Sequence, residues 1–142
     1  MYLIILCNLI MLNSKIKPDA IFASNTSSLQ ITQMSNVSGR PANFVGLHFF
    51  NPVQLMRLVE VIRTDNTNDE VFNMMTQYVK AISKSPVSCS DTPGFIVNRL
   101  LIPYLAQVLT THIPNEIVLL QDSIIHSWLT IITLLTTIMF RP

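Results

Sequence analysis

Residues 46–62, GLHFFNPVQLMRLVEVI, place a histidine and a glutamate twelve positions apart inside two apolar runs. His48 lies between Leu47 and Phe49-Phe50, and Glu60 between Leu58-Val59 and Val61-Ile62. Short runs rich in β-branched and aromatic side chains read as buried strands. Asn51-Pro52 between them reads as a turn or loop. Two strands joined in this way can bring His48 and Glu60 together. A carboxylate facing an imidazole in an apolar setting has the makings of a general-base pair. The same residues also read as a histidine satisfied by a backbone carbonyl and a glutamate at a strand edge, because structural ion pairs occupy such positions too. Spacing alone leaves both readings open.

Working outward, residues 20–23 (AIFA) form a short strand candidate that runs into Ser24-Asn-Thr-Ser-Ser28. A run of hydroxyl and amide side chains after a strand reads as a loop leading to a helix N-cap. Residues 29–34 then make a short helix, broken by Gly39-Arg-Pro41. Downstream, Val71, Phe72, Met75, Tyr78, Val79 and Ile82 recur at helical spacing over residues 68–84. Asp69-Glu70 stands at the start and Lys80 and Lys84 toward the end, as the helix dipole favours. Residues 85–89 read as a short strand, Asp91-Thr-Pro-Gly94 as a turn, and residues 95–105 as the start of a second helix that Pro103 should kink. The order strand, short helix, strand, strand, helix, strand, helix indicates an α/β fold.

A chain of 142 residues allows one domain with a sizeable core. Nine Lys and Arg against eight Asp and Glu leave no basic stripe for nucleic acid and no acidic tail for a basic partner. Cys7 and Cys89 lie far apart with no metal-ligand neighbour, so no metal site is expected and a reducing compartment is the default, with a single disulfide as the alternative. Charge is unevenly placed. Residues 1–13 carry none, residues 100–142 carry only Glu116, Asp122 and Arg141, and the other fourteen charged residues lie within 14–99. The first twelve residues are apolar but too short to span a membrane, they lack the basic start and cleavage site of a signal peptide, and they read equally as a core helix or strand. Residues 123–140 are uncharged, near the lower length limit of a span, and interrupted by His126 and several Ser and Thr. They read equally as a span, a soluble helix, or sequence that never packs. A membrane partner is the least favoured outcome.

Four blocks, ASNTSSLQIT (23–32), GLHFFNPV (46–53), LVEVI (58–62) and DTPGFIVNRLL (91–101), resemble the short-chain L-3-hydroxyacyl-CoA dehydrogenase family in content, order and spacing. Jointly they are far more specific than any one alone, and the resemblance runs over residues 15–105. The resemblance implies a Rossmann-like NAD-binding domain and oxidation of an L-3-hydroxyacyl-CoA to the 3-ketoacyl-CoA with hydride passing to NAD. It implies His48 as the base, Glu60 as the carboxylate that orients it, Ser27 as a contact to substrate and nicotinamide, and Asn98 as an amide at the substrate carbonyl. It adds Asn25 and Asn51 as further lining of the same pocket. It also implies an acyl-CoA substrate, a homodimer formed through a helical domain, and the mitochondrial matrix, although no transit segment is visible.

The sequence departs from the family pattern in two places. Its three glycines, Gly39, Gly46 and Gly94, form no Gly-rich phosphate loop, so NAD is expected to bind weakly and only through its nicotinamide end. Residues 1–14 and 106–142 do not resemble the family, and the dimerising helical domain is not matched. These flanks are expected to derive from misjoined or intron-derived coding sequence. The resulting expectation is an incomplete Rossmann-like domain with a hydrophobic helical or disordered tail. It is either a dehydrogenase by descent or a truncated, inactive product that at most binds the full-length enzyme.

Overall fold

The computed structural model describes residues 2–27 and 29–111, with side chains over 7–27 and 29–107. The elements in chain order are helix α1 (Tyr2–Asn13), strand β1 (Phe22–Ser24), helix α2 (Ile31–Val37), a 3-10 turn (Pro41–Asn43), strands β2 (Phe44–Phe49) and β3 (Leu58–Arg63), helix α3 (Asp69–Ala81), strand β4 (Ser85–Ser90) and helix α4 (Val97–Thr111). The α/β order read from the sequence is therefore present, with α1 and the 3-10 turn added. The uncharged segment 123–140 lies outside the described residues. Among the described residues no helix is long and apolar enough to cross a membrane.

The four strands form one mixed sheet in the order β1-β2-β3-β4. β1 and β2 are parallel, β2 and β3 antiparallel, and β3 and β4 parallel. Side chains alternate across a strand, so each central strand feeds two cores. On one face Phe44 and Ile62 pack with Ile31 and Met34 of α2, Cys89 and Phe95. On the other face Val45, Leu47, Val59 and Val61 pack with Val79 of α3. Both faces of β2 and β3 are thus covered, which explains why these strands read as continuous apolar runs rather than alternating ones. Leu9 of α1 packs against the α2-side core. Arg40 ties the connection after α1 to the body, donating to Asn13 Oδ1 at 2.7 Å and to the Lys17 carbonyl at 2.7 Å, with its guanidinium over the Phe22 ring.

Three element starts shift by two residues from the sequence expectation, each for a physical reason. The first strand begins at Phe22, because the turn closed by Ala20 N donating to Lys17 O occupies the residues before it. The short helix begins at Ile31 rather than residue 29. Leu29 N donates to Thr26 Oγ1 in a local turn, and the first helical amides are capped by Asp91 from across the sheet. The hydroxyl run therefore does not cap α2: its N-cap residue, Gln30, makes no side-chain cap bond. The last helix begins at Val97, because Phe95 N closes a turn on Thr92 O and both Gly94 (φ 77) and Phe95 (φ 50) are left-handed. Gly94 suits that turn, since a Cβ there would stand 3.1 Å from Arg99 N. Helix α4 runs through Pro103, an exposed position that cannot supply the Arg99 carbonyl with its usual i+4 amide donor.

Candidate active site

The antiparallel register of β2 and β3 makes His48 and Glu60 direct cross-strand partners. Both lie on the α2 side of the sheet, in alternation with Phe44 and Ile62. His48 Nδ1–H donates to Glu60 Oε2 at 2.6 Å, with His48 only 4% exposed and Glu60 fully buried. The second carboxylate oxygen, Oε1, accepts from Ile96 N at 2.9 Å and Val97 N at 2.8 Å. These amides open α4, where free N–H groups and the helix dipole favour a negative charge. Glu60 is thus a buried carboxylate with three donors on it, the arrangement in which burial of a charge is tolerated. The His48 ring packs against Phe50 at 4.4 Å between centroids and against Phe95 at 5.7 Å. With Nδ1 committed to Glu60, Nε2 is the nitrogen left for chemistry.

The other expected site residues fall around this pair. Asn98 Nδ2 donates to the Ser27 carbonyl at 3.0 Å, joining the start of α4 to the loop after β1. Asn25 Oδ1 accepts from Phe49 N at 3.0 Å, so it extends the β1–β2 pairing one step past Ser24. The side chains of Asn25 and Ser27 are exposed and Asn98 is half-buried. Asn51 is exposed at the start of the loop after β2, and its side chain makes no hydrogen bond among the described residues. The structure therefore joins His48 to Glu60, Ser27 to Asn98, and Asn25 to the residue after His48, and leaves Asn51 beside the pair by chain proximity alone. Among the described residues, no group of three or more His, Cys, Asp and Glu could hold a metal ion.

Sequence reading did not single out Asp91, Phe95 or the Ile96 and Val97 amides. The Pro-Gly pair in residues 91–95 announces a turn but not its partners. Backbone donors leave no residue-type signal, and a cap supplied from sixty positions away leaves no local one.

Residues 9–92 match the family described as 3-hydroxyacyl-CoA dehydrogenase, NAD binding domain. This chain belongs to that family. Among relatives of this dehydrogenase domain, the mitochondrial hydroxyacyl-coenzyme A dehydrogenase of Rattus norvegicus is 58% identical over 92 residues, covering 65% of this chain and 29% of the relative. A probable 3-hydroxybutyryl-CoA dehydrogenase of Deinococcus radiodurans is 51% identical over 94 residues, covering 66% of this chain and 34% of the relative. The crystal structure of (S)-3-hydroxybutyryl-CoA dehydrogenase from Ralstonia eutropha superposes with a TM-score of 0.72 at 36% identity, over 78% of this chain and 40% of that one. The fold is that of the family, Rossmann-like, and the chain spans about a third of the length of these curated relatives.

Proposed function

We propose that this chain carries the base unit of an NAD-dependent dehydrogenase that oxidises L-3-hydroxyacyl-CoA to 3-ketoacyl-CoA. The observation that carries this reading is the buried 2.6 Å contact between His48 Nδ1 and Glu60 Oε2, which fixes the tautomer whose Nε2 accepts a proton. Nε2 takes the proton of the substrate 3-hydroxyl. Glu60 then faces the resulting imidazolium at contact distance, supplying the counter-charge that a dry site requires. NAD held at its nicotinamide end by Asn25 and Ser27 would supply the hydride acceptor for C3, and His48 passes its proton on to solvent. Ser27 and Asn98 hold the substrate oxygen whose charge changes. Asn25 and Asn51 line the nicotinamide end of the same pocket.

The residues present fit one end of the cofactor. Asn25 and Ser27 offer exposed polar side chains on the loop after β1, beside the end of β2. The glycines do not fit the pyrophosphate. Gly46 lies inside β2, where a Cβ would stand 2.9 Å from Ile31 and Ile62, and Gly39 follows α2 rather than opening a helix. Gly94 does precede a helix, but the first amides of that helix are taken by Glu60. This same observation favours a second reading, in which residues 15–105 form a catalytically silent unit that binds a complete dehydrogenase. The rat relative is named as mitochondrial and the Deinococcus relative is bacterial. We place this chain in the mitochondrial matrix, with an acyl-CoA as its substrate and with dimer formation depending on a helical domain beyond residues 15–105.

NADH-dependent reduction of acetoacetyl-CoA tests the reading. The chain alone is expected to give no turnover. A chimera carrying residues 15–105 in place of the matching segment of the rat relative is expected to turn over. A folded but inactive chimera overturns the catalytic reading, and co-purification of this chain with the full-length rat enzyme supports the silent partner.

A further inference from the structure

The segment from Asp91 to Asn98 touches His48, Glu60 and Ser27 of the candidate site. Its Phe95 ring packs on His48, its Ile96 and Val97 amides hold Glu60, and its Asn98 reaches the Ser27 carbonyl. What fixes its upstream end is Asp91. One carboxylate oxygen accepts from Ile31 N at 3.0 Å, and the other accepts from Thr32 N at 2.7 Å and Thr32 Oγ1 at 2.6 Å. We infer that Asp91 is a positioning residue for the His48–Glu60 pair, acting by anchoring the 91–98 segment to the first turn of α2.

Three donors on one carboxylate at a helix N-terminus make charge-assisted bonds, stronger than neutral ones. Helix α2 has no local side-chain cap, so the bond to Asp91 is its cap. A local serine or asparagine would cap α2 as well, but it would leave the 91–98 segment untied. The segment is then clasped at two points to the same connection, Asp91 to Ile31 and Thr32, and Asn98 to Ser27. Between the clasps the backbone holds Phe95 in the left-handed region at φ 50, a conformation that persists only where surrounding contacts enforce it. Loosening the upstream clasp lets that residue relax, moves the two amides off Glu60 Oε1, and frees Glu60 to turn away from His48.

This inference deepens the dehydrogenase reading and rests on it for its functional meaning, but its test needs neither cofactor nor turnover. The readout is the rate at which the His48 Nδ1 proton exchanges with solvent, followed by NMR on the isotope-labelled 142-residue chain. Asp91→Asn is expected to speed that exchange roughly tenfold, as loss of a charged hydrogen-bond partner would, while amides of β2 and β3 keep their protection. Thr32→Val, which removes only the hydroxyl contact, is expected to give a smaller change in the same direction, and Asp91→Glu to restore part of the wild-type rate. A purely structural cap gives a different result: α2 amides lose protection and the His48 proton exchanges as in wild type. That result overturns the inference. Where Asp91→Asn does not fold, Thr32→Val and Asp91→Glu decide by the same readout. Loss of turnover in the chimera is a separate outcome and bears on the dehydrogenase reading instead.

Discussion

Glu60 holds His48 through one carboxylate oxygen and the first turn of α4 through the other, so a single buried side chain fixes both the tautomer of the imidazole and the position of a helix. The isosteric change Glu60→Gln separates these tasks. The glutamine oxygen can still accept from Ile96 and Val97, which leaves its NH2 facing His48 Nδ1. Two donors cannot share one hydrogen bond. His48 therefore switches tautomer and Nε2 becomes a donor, unable to take a proton. The chimera carrying Glu60→Gln is expected to lose about 10³- to 10⁴-fold in kcat, the cost of a wrong histidine tautomer. Its urea midpoint should fall only modestly. Near-wild-type kcat would contradict the orienting role.

Asn98→Ala removes the clasp to the Ser27 carbonyl, a bond at a half-exposed position. Its loss costs about 1 kcal/mol of stability. Turnover of the chimera should fall further than that figure accounts for, because the same amide is assigned to the substrate oxygen. Steady-state kinetics set beside thermal denaturation separate the two effects.

The two thiols should differ in reactivity. Burial pushes the Cys89 thiol up from 9.0 to about 11, with the charges of Glu60 and Asp91 adding to the effect, whereas Cys7 is exposed. At neutral pH Cys89 then presents roughly a hundredfold less thiolate than an unperturbed cysteine. An alkylating reagent is expected to modify Cys7 first and Cys89 only on unfolding, as peptide mass mapping against time will show. The protonated thiol favours the folded chain fully below pH 9, and that contribution is lost as pH rises through about 11, because the unfolded thiol ionises first.

Gly46 lies where α2 crosses β2, and a Cβ there would meet Ile31 Cδ1 and Cγ1 and Ile62 Cβ at 2.9 Å. Gly46→Ala is therefore expected to destabilise by about 1–3 kcal/mol through overpacking. The backbone angle at this residue demands nothing unusual, so the loss should come from α2 being pushed away. Hydrogen exchange should show α2 opening before β3.

Much of this site could be read from residue types. The apolar runs around His48 and Glu60 announced two strands, and their register then placed the two side chains opposite each other. The helical spacing of Val71, Phe72, Met75 and Val79 announced α3, and Val71 and Val79 are its buried positions. What stayed hidden was what depends on backbone donors and distant partners. The amides of Ile96 and Val97 carry no sequence signature, and the cap of α2 comes from Asp91 rather than from the serine-rich run beside it. The left-handed Phe95 was equally hidden, because aromatic residues seldom adopt that region and nothing local demands it.

The central claim is that His48 is the base. The most direct measurement is NADH-dependent reduction of acetoacetyl-CoA by the chimera with and without His48→Ala, at saturating NADH. The account predicts a loss of about 10²- to 10⁴-fold in kcat, the range for removal of a general acid or base, with the fold retained. A folded His48→Ala chimera that turns over at the rate of the unsubstituted chimera would contradict it.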